Sequence, residues 1–180
     1  MADHTCKLGR APEETPFGDD EPTLGLTPEE KKLIGGSWEL VKQDLAGNGV
    51  VVLLTFFRDY PDNLQYFPFA DKSVDQLAQE PVLKSHAIRV MRDLTYCIDN
   101  IQKPETVMHA LRQNALNHRK RNIHSSSYDE LRESILKALG NQLGAEIFTD
   151  TARATWDKAL RTIFAAIVGI MNDGKCYCPK

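Results

Sequence analysis

Two histidines, His86 and His118, sit inside helix-patterned stretches on the side where the apolar residues fall. Around the first, Leu83, His86, Ala87, Val90, Met91, Leu94, Cys97 and Ile98 recur at steps of three and four and share one helical face. Around the second, Val107, Leu111, Ala115 and His118 keep the same kind of spacing after Pro104, a residue favoured in the first turn of a helix. The polar run Arg119, Lys120, Arg121 and Asn122 then ends the stripe, so His118 belongs near a helix C-terminus. An imidazole is neutral near physiological pH and can donate a lone pair to iron. Two of them aimed at one interior point to a buried metal or cofactor. One histidine on an apolar face is more often a hydrogen-bonded core residue, so the weight rests on the pair and its surroundings. His4 and His124 lie in polar segments, and His109, nine residues before His118, falls about half a turn around the helix axis at roughly 100° per residue and faces away.

The elements that must position the pair are helical. Thr27-Pro28-Glu29-Glu30 reads as a capped helix start, with Thr27 as cap and Glu30 completing a capping box, and that helix runs to about Asp44. Gly47 and Gly49 break it or begin the next, whose apolar residues from Val50 to Tyr60 are closed by Pro61. A short third helix and a corner follow. Ser127-Tyr128-Asp129-Glu130 repeats the capping-box pattern ahead of the stripe Leu131, Ile135, Ala138, Leu139 and Leu143, with Gly140 and Gly144 marking its weakening end. Trp156, Leu160, Ile163, Ile167 and Met171 form the last stripe, capped by Thr149 or Asp150. No alternating strand pattern competes, so the class is all-α.

The stretch from Leu53 to Phe69, with Pro61 and a phenylalanine six residues on at Phe67, resembles the second and third helices and the following corner of the globin family. Gly36-Ser37-Trp38 resembles part of the family's first helix, and Phe148 to Leu160 resembles the entry into its last. These pieces occur in family order over about residues 26–172. The resemblance implies a globin fold of about seven or eight helices around a pocket for haem b, iron protoporphyrin IX. It makes His118 the proximal iron ligand, His86 the distal histidine and Phe67 the phenylalanine packed on the haem. Helices of this number packed at steep angles leave a crevice between the two histidine helices. Leu53, Val90 and Ile123 are candidates for its walls, and Arg89 for reaching outward to a haem propionate. Two departures stand out: Asn114 occupies a usually apolar position four residues before His118, and Ala115 replaces a frequent glycine.

Dioxygen, carbon monoxide and nitric oxide are then the expected ligands, with His86 either hydrogen-bonding the gas or ligating iron itself. Positions 86 and 118 stand 32 apart, a spacing similar to that of the neuroglobin and cytoglobin type of six-coordinate globin, as are the long tails. The leading expectation is a bis-histidyl gas-binding protein. The alternatives are a five-coordinate oxygen storage or transport globin, a redox enzyme acting as nitric oxide dioxygenase or nitrite reductase with a cellular reductant, and a haem-free interaction module. Both histidines and Phe67 argue against the last.

Composition bounds the rest. The chain has 180 residues, enough for one core, and a net charge of -3 gives no global attraction to nucleic acid or anionic membrane. The short basic run at 119–121 reads as a solvated helix end. Residues 1–25, rich in acidic residues and proline, are expected to be a flexible extension and 173–180 a C-terminal tail, flanking one domain over 26–172. No secretion signal is evident, Ala2 rather than glycine follows Met1, and the apolar stretch Ile163 to Met171 is too short to span a bilayer. The expectation is a soluble cytoplasmic protein, with a homodimer open. Of the four cysteines, Cys97 falls on the apolar face, while Cys6, Cys176 and Cys178 lie in the tails as free or opportunistically oxidised thiols.

Overall fold

The computed structural model describes residues 25–173, which form seven α-helices and one 3-10 helix and, among the described residues, no strand. The expected extensions lie outside the described residues except at Gly25 and Asp173, as do Cys6, Cys176 and Cys178. Helix α1 spans Pro28–Lys42, and its capping box forms as expected: Glu30 N–H donates to Thr27 Oγ1 and Thr27 N–H to Glu30 Oε2. Helix α2, Leu45–Asp59, meets α1 at a bend of 101°. It begins before both glycines because Asp44 caps it, accepting from Gly47 N–H at 3.0 Å. Gly47 and Gly49 thus lie within the helix. Its end comes where Pro61 forces the preceding residue out of helical geometry, and the 3-10 helix Pro61–Tyr66 carries the chain to Phe67.

A short α3, Val74–Leu77, leads into α4, Pro81–Asp99, and α5, Pro104–Arg119, both opened by proline at the first turn. Helix α6, Ser126–Leu143, starts without the expected capping box. Ser127 lies inside it, buried, and its hydroxyl donates to Asn63 Oδ1, while Asn63 Nδ2 donates to Glu130. Both residues of the expected box are therefore used to hold α6 against the 3-10 helix. Gly140 does not weaken α6, which runs on to Gly144 in a left-handed backbone conformation (φ 74°). Helix α7, Asp150–Asn172, is capped by Thr149.

Helix α2 packs on α4 and α6, and α7 packs on α5 and α6. The larger core centres on Trp38 and Trp156, whose rings are 5.6 Å apart and tilted. The Trp156 indole N–H donates to Ser37 Oγ, so the buried polar atom is satisfied. The smaller core, around Phe56, Phe57, Phe69, Leu77 and Leu83, lies under the corner after α2. A crevice opens where the two cores meet. Among the described residues, no single helix is long and apolar enough to cross a membrane.

Candidate functional site

The crevice is lined from α2, the 3-10 helix, α4, α5, α6 and α7, and amounts to about 910 Å³ with the solvent at its mouth counted in. His86 enters from α4 and His118 from α5, and Leu53, Phe67, Val90 and Ile123 also line it. Arg89 does not line it. It is exposed, and its guanidinium donates to Ser85 Oγ one turn back at 3.1 Å. The helical step that turns Val90 inward turns Arg89 out. Phe164 and Leu111 line the crevice beside Ile163 and Ile167, as do the polar neighbours Asn63, Tyr66, Asp93, Ser127 and Tyr128, none of them a site candidate from the sequence alone. Asp93 lies seven residues, two turns, past His86, a signal in the spacing that its charge obscured. His109 is exposed, and His124 bonds Ser126 at the surface.

The two imidazoles are held differently. His118 Nδ1 lies 2.9 Å from the Asn114 carbonyl oxygen, and because a carbonyl can only accept, Nδ1 carries the proton and Nε2 keeps a free lone pair. The Tyr128 ring packs edge-on at 5.7 Å. His86 has the edge of Phe67 at 5.1 Å, and Phe67 in turn stacks on Phe69 at 5.1 Å. Among the described residues, no hydrogen bond fixes the His86 ring.

Burial pushes the His86 pKa down to about 4, helped by the neighbouring basic groups Arg89, His118 and Arg121. Burial likewise lowers His118, while its bond to the Asn114 carbonyl opposes the shift. Both rings are therefore neutral at physiological pH and able to donate lone pairs. Cys97, also on the wall, is pushed up to about 12 by burial and then by Asp93, so its thiol stays protonated.

This donor set selects the kind of group it could hold. Among the described residues there is no group of three or more His, Cys, Asp or Glu side chains able to hold a bare metal ion. Neutral imidazoles facing an apolar crevice would suit a flat apolar macrocycle that brings most of its metal's donors with it and needs only a nitrogen lone pair from the protein. The residues present fit haem.

Comparison with known proteins agrees with the geometry. The family model described as Globin matches residues 51–167. A globin of Nerita albicilla is 34% identical over 81% of this chain and 93% of its own length. Cytoglobin-2 of Danio rerio is 29% identical over 86% of this chain and 91% of its own. Among solved structures, a Drosophila melanogaster hexa-coordinate hemoglobin, studied for cyanide binding and haem cavity transitions, superposes with a TM-score of 0.74 at 25% identity, covering 79% of this chain and 94% of that one. With the all-helical fold, the paired histidines and these matches together, the chain belongs to the globin family.

Proposed function

We propose that this globin binds haem b between His118 and His86, with both imidazoles as axial donors in the ligand-free state, and reversibly binds dioxygen, carbon monoxide and nitric oxide on the His86 side. Bound there, haem supplies an iron that accepts axial nitrogen donors and diatomic gases. The observation that carries the reading is the unequal anchoring of two neutral rings. His118 has its Nδ1 tied to the backbone, which fixes its tautomer and keeps Nε2 as a standing donor. Among the described residues no hydrogen bond ties the His86 ring, which packs on the edge of Phe67, so it can donate and can also swing away. Val90, Leu53 and Phe67 give a gas an apolar space beside it. A gas must then compete with a side chain tethered to the same pocket, and its apparent affinity falls with the fraction of time His86 is away.

The visible spectrum of the haem-loaded, deoxygenated ferrous protein tests this. Sharp paired bands are expected. His86→Leu should replace them with one broad band and speed carbon monoxide binding, since the competing ring is gone. A single broad band in the parent protein, or unchanged binding kinetics in His86→Leu, refutes ligation by His86.

A further inference from the structure

Asn114 makes three polar contacts that tie three helices together around His118. Its side-chain Nδ2 donates to Asp93 Oδ2 of α4 at 3.1 Å, its Oδ1 accepts from the Tyr128 hydroxyl of α6 at 3.1 Å, and its backbone carbonyl accepts from His118 Nδ1 at 2.9 Å. The chemistry leaves no freedom in these assignments. An ionised carboxylate accepts only, so the amide must turn Nδ2 to Asp93 and Oδ1 to Tyr128, and the phenol must donate. Burial, together with Asp93, keeps Tyr128 protonated by raising its pKa above the usual range. Tyr128 is 6% exposed, and it touches both ends of the arrangement, bonding Asn114 and packing its ring on His118.

We propose that Asp93, Asn114 and Tyr128 form a polar clamp that positions the proximal imidazole by pinning the peptide whose carbonyl holds it. A backbone carbonyl one turn before a histidine is available in any helix, but here the residue that owns it is fixed from both sides. The clamp also places the Asp93 carboxylate near the ring that donates to iron, and a nearby negative charge favours the more oxidised, more positive state of the site. Asp93, Asn114 and Tyr128 are thus positioning residues acting through His118. The effect on iron rests on the haem reading above, whereas the effect on the ring does not.

The test uses the full chain, haem-free and haem-loaded, with Asn114→Leu, Tyr128→Phe, their double variant and Asp93→Asn. In the haem-free protein, nitrogen NMR of the His118 ring should show the Nδ1-protonated form in the parent and a shift toward mixed tautomers in Asn114→Leu. In the loaded protein, haem transfer to an excess of apomyoglobin should run about fivefold faster in Tyr128→Phe, the size expected for the one hydrogen bond it loses, and faster still in Asn114→Leu, which loses both side-chain bonds of the clamp. The double variant should be no faster than Asn114→Leu, because one clamp can be broken only once. Asp93→Asn should move the haem midpoint potential to a more positive value, a shift that looser packing alone would not direct. Unchanged tautomer and transfer rates, or a double variant whose two effects multiply, overturn the clamp. A parent chain that takes up no haem would refute the function proposed above and leave the NMR arm to decide the clamp by itself.

Discussion

Gly49 lies where α2 crosses α4. A methyl group at this position would stand 2.6 Å from Met91 Cγ and 3.0 Å from the Ala87 carbonyl oxygen. The Met91 side chain can swing aside, but the carbonyl belongs to the backbone of α4 and moves only with the helix. Gly49→Ala therefore sets two effects against each other. Alanine is a better helix former than glycine by about 1 kcal/mol, while forcing a methyl group into a packed crossing costs about 1–3 kcal/mol. The net expectation is a loss of about 1 kcal/mol, or a midpoint lower by roughly 2–4 °C for a domain of this size. Gly36 of α1 supplies the control, since nothing lies within 4 Å of an added Cβ there, and Gly36→Ala should stabilise by about 0.5–1 kcal/mol. Thermal unfolding of the haem-free variants, followed by helical circular dichroism, measures both. Ala87 adjoins His86, so displacement of α4 should also weaken the distal imidazole's hold and add a broad component to the ferrous spectrum of Gly49→Ala. If Gly49→Ala is as stable as Gly36→Ala and keeps the parent spectrum, the crossing does not constrain the site.

Three further perturbations separate other contributions. The haem-free protein should lose stability as pH falls from about 6.5 to about 4: the unfolded chain protonates His86 first, so it binds more protons than the folded chain throughout that window. At 1.36 kcal/mol per pH unit this amounts to at most about 3 kcal/mol, less what the partly exposed ring recovers by solvation, and urea titrations should show a steeper slope in the parent than in His86→Leu, where only the lowered His118 still contributes from the pair. Trp156→Phe removes the indole donor to Ser37 and part of the paired-tryptophan core, and should cost about 2 kcal/mol in denaturant unfolding. Asp157→Ala takes a partner from Arg132, whose side chain is 7% exposed, and should cost about 2–3 kcal/mol, whereas Asp59→Ala breaks a pair with a Lys137 that is 55% exposed and should cost under about 1 kcal/mol. Equal losses in those two variants would show that burial does not govern these ion pairs.

What could be read from the chain alone follows from which interactions are local. The stripes of α4, α5 and α7 and the cap of α1 depend on neighbours three and four residues apart, and their helices form close to where those patterns place them. The start of α6 misled because a local pattern competes with a distant partner: the Ser127 hydroxyl bonds Asn63, 64 residues away, rather than its own helix. Glycine misled at Gly47 and Gly49 for a similar reason. Loss of helix propensity is what the sequence displays, while the Asp44 cap and the need for a bare backbone against Ala87 emerge only when α2 meets α4. Arg89, expected to reach outward, is exposed as its roughly 100° offset from Val90 requires, and its bond to Ser85 one turn back is a local contact that the spacing alone does not announce.

The candidate site divides along the same line, and the division bears on how its halves act. His86 and His118 were legible because a histidine on an apolar stripe violates the pattern around it. Of the groups that make the two rings unequal, Asn114 stands out as a polar residue four before His118, but its partners do not, since Asp93 and Asn114 stand 21 residues apart and Asn114 and Tyr128 stand 14 apart, on three helices. A swap of roles would require His118 to break a backbone bond and shed a buried neighbour, whereas His86 has packing, including the Phe67 ring, but no hydrogen bond among the described residues to give up. Release of His86 should therefore be the lower-energy motion. If gas binding is gated by a ring leaving its place, the rate should respond to Phe67→Leu, which removes the packing that steadies His86, and stay indifferent to Tyr128→Phe, which loosens only the opposite ring. The reverse dependence would assign the mobile ligand to α5 and reverse the proposed polarity of the pocket.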